Sequence, residues 1–157
     1  MFRGGIIHDV VVKDLVRHSD DRGWLMEIYR QDEVDPLFAP AMEYISMTKP
    51  GVARGPHEHR DQADYFAFIG PSTFRVYLWD TRPGSSTKGI MQVIEAGEGL
   101  PKIIIIPAGI VHAYRNTGST MGMVVNLPNR LYAGAGKKGP VDEIRHENDA
   151  NSIYRMD

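Results

Sequence analysis

Residues 51–64, Gly-Val-Ala-Arg-Gly-Pro-His-Glu-His-Arg-Asp-Gln-Ala-Asp, contain two histidines separated by one residue, His57 and His59. In an extended chain alternate side chains point to one face, so the two imidazoles are predicted to converge on one space. A third histidine, His112, follows the turn sequence Pro-Ala-Gly at residues 107–109. We expect His57 and His112 to face each other inside a small β-barrel and to line its one ligand cavity.

Short strands separated by turns account for most of the remaining sequence. The apolar and alternating runs are rich in β-branched and aromatic residues, and Gly, Pro and Asp punctuate them. Strands are predicted at residues 6–18 (one or two strands), 24–30, 42–48, 65–70, 73–80, 89–95, 102–107 and 120–127. About eight to ten short strands at this spacing indicate an all-β barrel or double-sheet jelly roll.

The sequence changes character after Leu127. Residues 128–140 are rich in Gly and Lys and are predicted to form a loop, whereas residues 142–147 are predicted to form one or two helical turns. Neither an internal repeat nor a linker divides the chain. We therefore expect one domain, residues 1–157, in which residues 128–157 form a loop and tail that close the cavity.

Composition restricts the classes of function. The chain has 157 residues, a formal net charge of −2 and no cysteine. This charge argues against a general nucleic-acid or membrane-surface protein, and no apolar run approaches the roughly 18 residues that a membrane-spanning helix needs. The absence of cysteine excludes disulfides and thiolate chemistry. Because the first residues also lack a long apolar segment, we expect a cytoplasmic protein.

Four residues form a candidate metal site: His57, His59, Asp64 and His112. A His-x-His pair presents two imidazoles to one ion, and a carboxylate and a third histidine complete a site suited to Mn, Fe, Zn or Ni. The spacing resembles the two metal motifs of the cupin superfamily, except that Asp64 stands where the motif has the longer Glu. A metal-dependent cupin enzyme is therefore one alternative for the function.

A second resemblance covers almost the whole chain and is to the dTDP-4-dehydrorhamnose 3,5-epimerase family of cupins. Arg54-Gly55-Pro56-His57 is similar to the family's Arg-Gly-Leu-His, and the segment 106–112 is similar to Ile-Pro-x-Gly-Phe-Ala-His. Three further stretches match in order, at residues 20–27, 62–64 and 80–89. The resemblance implies an all-β cupin double-stranded β-helix, here with a short C-terminal helical segment, and no required cofactor.

The family resemblance implies proton abstraction next to the ketone of a nucleotide sugar. His57 is the implied base, and Asp149 is the nearest match to the carboxylate that orients it. The implied substrate-binding residues are Arg22, Glu27, Arg54, Gln62, His112, Asn126 and Tyr132. Arg54 and His112 are expected to contact the diphosphate or sugar. Arg22 and Glu27 are expected at the cavity mouth, from the partner subunit of a homodimer whose N-terminal strands, residues 1–18, are exchanged.

The sequence departs from the epimerase pattern at two positions. Asp64 lies where the family has a lysine, and Asn126 lies near the position of its catalytic tyrosine. The segment 54–59 is also similar to the Arg-Gly-x-His-Ala-His of the dTDP-sugar 3,4-ketoisomerases, which implies that His57 and His59 act as a paired acid and base. An epimerase, a ketoisomerase and a non-catalytic sugar-binding cupin thus remain open beside the metal-dependent enzyme.

Overall fold

Alternation of apolar and polar residues produces a protein whose regular secondary structure is almost entirely strand. The computed structural model describes residues 1–157. Its strands are β1 Arg3–Gly4, β2 Val11–Asp14, β3 His18–Asp20, β4 Gly23–Leu25, β5 Tyr44–Thr48, β6 Ala53–Glu58, β7 Asp64–Phe68, β8 Thr73–Asp80, β9 Ile90–Gly97, β10 Lys102–Ile106, β11 Ile110–Asn116, β12 Gly122–Asn126 and β13 Ile144–Arg145. The helical structure consists of two single 3₁₀ turns, Pro36–Phe38 and Ala135–Lys137.

Two sheets form the jelly roll. The larger has the order β1-β9-β8-β11-β6-β13, and the smaller has the order β2-β10-β7-β12-β5. Strands β3 and β4 form a separate two-stranded hairpin. The all-β jelly-roll prediction is confirmed, and the strands predicted at residues 65–70, 73–80 and 102–107 are present as β7, β8 and β10.

The hydrophobic core lies between the two sheets. On β8, Phe74, Val76 and Leu78 point inward and are fully buried, while Trp79 lies on the outer face of the same strand and packs against Tyr154 of the C-terminal tail. Each large buried apolar side chain contributes about 1.5–3 kcal/mol to folding. Because Tyr154 packs against Trp79, the C-terminal tail lies along the outer face of the sheet that carries the candidate site.

The predicted helical turns at residues 142–147 are wrong. This segment instead contains β13, in which Ile144 and Arg145 pair with Glu58 and His57 on the free edge of β6. Backbone groups that satisfy a distant strand edge cannot also form helical hydrogen bonds. The helical turn of the C-terminal region lies earlier, at Ala135–Lys137.

The N-terminal segment pairs within the chain. Strand β2 lies antiparallel to β10, and β1 lies parallel to β9. The predicted strand at 24–30 is shorter than expected, because only β4, Gly23–Leu25, is paired. Neither 3₁₀ turn has the length or apolar character that a membrane-crossing helix requires.

Candidate functional site

Strand pairing brings the predicted histidines together. In the antiparallel pair of β6 and β11, His57 lies directly opposite His112, and their ring centroids are 4.4 Å apart. His59, one residue beyond the end of β6, has its ring centroid 5.6 Å from that of His57. The expectation that His57 and His112 face each other is confirmed.

Gly55 allows this close approach of β6 and β11. It has a φ of +80°, in the left-handed region that glycine adopts without strain. A Cβ atom at this position would lie 2.6 Å from the backbone oxygen of His112 and 3.0 Å from Nδ1 of His57. The glycine of the Arg-Gly-Pro-His sequence is therefore required by the packing around the two histidines.

His57, His59, Asp64 and His112 form one cluster of side chains, in which Asp64 lies at the centre and is fully buried. Its Oδ1 accepts hydrogen bonds from the side-chain amides of Gln62 and Asn126, both at 2.9 Å. Its Oδ2 lies 3.0 Å from Nε2 of His112 and 3.2 Å from Nε2 of His59. Both are ion-pair distances, and neither Asp64 Oδ2 nor His112 Nε2 makes a hydrogen bond to any other group.

Backbone carbonyl groups hold two of the three imidazoles. Nδ1 of His112 lies 3.0 Å from the carbonyl oxygen of Ile110, and Nδ1 of His59 contacts the carbonyl oxygen of Asp142. Each Nδ1 is therefore assigned as the N–H donor, which directs Nε2 towards Asp64. The ring of His57 has no corresponding hydrogen bond.

The charges of the cluster divide the histidines into two kinds. Burial, and then the neighbouring His112, lowers the pKa of His57 to about 2, so its imidazole is neutral. Burial opposes a charge on His59 as well, but Asp64 and the carbonyl of Asp142 outweigh it and raise the pKa of His59 to about 9. Despite burial, contacts with His112 and His59 hold the pKa of Asp64 well below its usual range.

A cavity of about 1030 Å³ opens beside the cluster. Five of the predicted residues line it: Arg54, His57, His59, Gln62 and Tyr132. The expectation that His112 also lines the cavity is wrong, because His112 and Asn126 are buried behind the cavity wall. The lining also includes residues that belong to no recognised sequence motif, namely Tyr44, Ser46, Tyr114, Arg130, Lys137, Glu143, Arg145 and Glu147.

Three predicted residues lie away from this cavity. Asp149 is exposed, its carboxylate accepts a hydrogen bond from the backbone of Asn151 at 2.8 Å, and the predicted contact with His57 is not formed. The tail meets β6 at Ile144 and Arg145 and has turned away before residue 149, which explains the difference. Arg22 and Glu27 are exposed and paired with Asp20 and Arg30, respectively.

The cavity wall is closed by the segment around Asp142. The Asp142 carboxylate accepts hydrogen bonds from the backbone N–H groups of Arg60, Asp61 and Gln62 at 2.9, 2.8 and 2.9 Å. The same residue provides the carbonyl that contacts His59. One aspartate thus fixes both the loop after β6 and the orientation of an imidazole.

Comparison with known proteins identifies similar sequences. The family described as dTDP-4-dehydrorhamnose 3,5-epimerase matches residues 5–139. The "Probable low-salt glycan biosynthesis epimerase Agl13" of Haloferax volcanii is 36% identical over 127 residues, which cover 80% of this chain and 81% of that protein. The "Spore coat polysaccharide biosynthesis protein SpsL" of Bacillus subtilis is 39% identical over 127 residues, with coverage of 81% and 83%.

Solved structures share the fold at lower identity. A dTDP sugar isomerase from Desulfovibrio desulfuricans G20 superposes with a TM-score of 0.81 at 21% identity, over 96% of this chain and 91% of that chain. ChmJ, a 3'-monoepimerase from Streptomyces bikiniensis crystallised with dTDP-quinovose, gives a TM-score of 0.76 at 22% identity, over 90% and 71% of the two chains.

Proposed function

Because the chain belongs to the dTDP-4-dehydrorhamnose 3,5-epimerase family, we propose that it is a nucleotide-sugar epimerase or ketoisomerase with His57 as its base. The proposed substrate is a dTDP-4-keto-6-deoxyhexose. The base removes the proton from a carbon next to the ketone, the electron pair moves onto the ketone oxygen, and return of a proton to carbon completes the reaction.

The position of His57 is the observation that carries this proposal. Its imidazole lines the cavity, and neither ring nitrogen is occupied by a hydrogen bond within the protein. The pairing of β6 with β11 fixes its backbone. A general base must lie within hydrogen-bond reach of the proton that it removes, and an unengaged imidazole on a cavity wall satisfies this requirement.

His59 does not fit the role of a paired acid or base. Its Nδ1 contacts the carbonyl of Asp142, and its Nε2 faces Asp64 and the amide of Gln62. An imidazole with both nitrogens engaged is not available to exchange protons with a substrate. We therefore assign proton abstraction to His57 alone and assign His59 to the cluster that supports it.

The cavity suits a large anionic sugar derivative. Its volume of about 1030 Å³ is at the upper end of ligand pockets. Its wall carries four cations, Arg54, Arg130, Lys137 and Arg145, and four carboxylates, Asp61, Asp142, Glu143 and Glu147. Backbone N–H groups bind the Asp142 carboxylate and Arg145 pairs with Glu143, so Arg54, Arg130 and Lys137 are the cations proposed to meet an anionic ligand. Arg54 is positioned by hydrogen bonds to Oγ1 of Thr48 and the carbonyl of Met47, at 3.0 and 2.8 Å. Guanidinium groups are suited to a diphosphate, which supports the predicted role of Arg54.

A homodimer is proposed from the exposed hairpin of β3 and β4. The hairpin pairs with no other strand, and its Trp24 and Leu25 are 51% and 60% exposed. An isolated two-stranded hairpin is marginally stable in water, so a second copy of the chain is the proposed packing partner. This arrangement would bring Arg22, at the hairpin tip, to the partner subunit, where it and Glu27 are proposed to meet the substrate.

The proposed reaction requires neither a cofactor nor an oxidising compartment. An imidazole base needs no cofactor to remove a proton beside a ketone. The chain has no cysteine, which suits the reducing cytoplasm, the proposed location.

Deuterium exchange tests the proposal. The wild-type protein is incubated in D₂O with a dTDP-4-keto-6-deoxyhexose, and deuterium at carbon is followed by NMR. We expect incorporation next to the ketone, a loss of about 100-fold or more in His57→Gln, and unchanged exchange in His8→Ala, a control at an exposed histidine. Exchange that survives His57→Gln would refute the role of His57, and tight binding without exchange by the wild type would identify a non-catalytic sugar-binding protein.

A further inference from the structure

The proposed reaction places negative charge on the ketone oxygen of the substrate. When His57 takes the proton from the neighbouring carbon, the electron pair of that C–H bond forms a C=C bond and the carbonyl pair moves onto oxygen. A cationic or N–H donor aimed at this oxygen stabilises the transition state, and the loss of one such donor typically costs about 100- to 1000-fold in rate. Because the ketone oxygen is two bonds from the reacting carbon, the donor must reach the cavity close to His57.

The histidine cluster does not supply this donor. His59 has both ring nitrogens engaged, one by the carbonyl of Asp142 and the other by Asp64. His112 is buried behind the cavity wall, and Asp64 is a buried anion. The donor must therefore come from another part of the wall beside His57.

Strand β13 carries a cation directly beside the base. In the antiparallel pair of β13 and β6, Arg145 lies opposite His57. Side chains of directly opposite residues lie on the same face of a sheet, with their Cβ atoms about 4.5–5.5 Å apart. The alternation along the strand agrees with this placement, because Arg145 lines the cavity and its neighbours Ile144 and His146 do not.

The contacts of Arg145 leave part of its guanidinium group available. Its Nε donates a hydrogen bond to Oε2 of Glu143 at 2.7 Å, and its two terminal nitrogens make no hydrogen bond within the chain. The side chain is 59% exposed, so a ligand in the cavity can reach it. Burial, and then His112, lower the pKa of His57 most, and the charge of Arg145 lowers it further. The cation and the base are therefore close enough to interact.

We propose that Arg145 is a catalytic residue that donates a hydrogen bond from its terminal N–H groups to the ketone oxygen as negative charge develops there. This role rests on the proposed function. The planar guanidinium, held at Nε by Glu143, presents its remaining donors in a fixed plane. When a proton returns to carbon, the electron pair returns to the carbonyl group and the charge that Arg145 stabilises disappears.

Substitutions that separate rate from binding test this role. Arg145→Met removes the donors and keeps an unbranched stem, whereas Arg145→Lys keeps the charge without the planar group. In the deuterium-exchange assay, we expect Arg145→Met to lower the rate at saturating substrate by about 100-fold or more, with KM changed by less than about threefold, and Arg145→Lys to retain an intermediate rate. Arg155→Met, at an exposed arginine of the same tail outside the cavity, is the matched control and should exchange like the wild type.

Calorimetric binding of dTDP separates this role from recognition of the diphosphate. Arg145→Met should bind dTDP within about twofold of the wild type, whereas Arg54→Met should bind it at least about tenfold more weakly. Because the Arg145 side chain is exposed, thermal melts should show little change in Tm.

Two results would overturn the role of Arg145 alone: an exchange rate in Arg145→Met within about threefold of the wild type, or a loss of dTDP affinity in this variant as large as that in Arg54→Met. A wild-type protein that catalyses no exchange would instead refute the proposed function, and the role of Arg145 with it.

Discussion

The Asp142→Ala substitution provides a quantitative test of how the C-terminal segment closes the site. It removes a carboxylate that accepts three backbone hydrogen bonds, at 2.9, 2.8 and 2.9 Å, from residues 60–62. At about 1 kcal/mol net for each bond, the expected loss in the free energy of unfolding is about 3 kcal/mol. For a chain of this size that loss lowers Tm by roughly 6–12 °C. Urea denaturation and thermal melts measure the two quantities.

The same substitution should also loosen the position of the His59 imidazole, which contacts the carbonyl of residue 142. Without its carboxylate, the backbone of residue 142 no longer holds Nδ1 of His59, so we expect the rate of deuterium exchange to fall by about tenfold. Asp35→Ala is the matched control, because the Asp35 carboxylate accepts one backbone hydrogen bond, from Leu37 at 2.9 Å, and neither residue lines the cavity. It should cost about 1 kcal/mol. A loss in Asp142→Ala no larger than in Asp35→Ala would refute the reasoning.

Four further substitutions test other parts of the structure. Gly55→Ala places a Cβ atom 2.6 Å from a backbone oxygen of β11, and we expect reduced Tm and exchange, measured together. Asp80→Asn breaks a buried hydrogen-bond network. Burial raises the pKa of Asp80, but its side-chain hydrogen bonds outweigh burial and hold the pKa below its usual range. The Asp80 carboxylate therefore stabilises the fold above about pH 4, and this stabilisation is lost as the pH falls further. We expect a loss of roughly 2–4 kcal/mol at pH 7 by urea denaturation, shrinking below pH 4. Trp24→Glu should convert the proposed dimer to a monomer, measured by light scattering, whereas a monomeric wild type would contradict the dimer proposal. Tyr44→Phe should reduce product formation by NMR while exchange at carbon persists.

Local patterns were sufficient to predict the strands that form the core. The segments that became β7, β8 and β10 are short apolar or alternating runs bounded by turn residues, and their burial follows from composition alone. The meeting of His57 with His112 was also predictable, because both lie in motifs of fixed spacing. These features depend on residues close together in sequence or on a recognisable pair of motifs.

The tail was not predictable in the same way. Residues 142–147 carry a charge pattern compatible with a helix, but their backbone is used to cover the edge of β6, more than 80 positions earlier. A segment that pairs with the free edge of a distant strand carries no local sequence pattern that predicts this pairing. The predicted contact between Asp149 and His57 failed for the same reason, since the path of the tail is set by β13.

The two departures from the epimerase pattern have a structural explanation when considered together. Asp64 is an anion at the position where the family has a lysine. It is buried against His59 and His112, and these two imidazoles compensate its negative charge, so that it does not face the cavity directly. Asn126 donates one hydrogen bond to Asp64 and another to the hydroxyl of Tyr44, at 2.9 and 2.8 Å. Tyr44 lines the cavity, and burial raises its pKa to about 12, so it keeps its proton near neutral pH. The asparagine therefore joins the charged cluster to a phenol on the cavity wall. We propose that the Tyr44 hydroxyl, on β5, donates the proton that the family resemblance assigns to a tyrosine near position 126, and this is the physical reason to expect Tyr44→Phe to separate exchange from product formation.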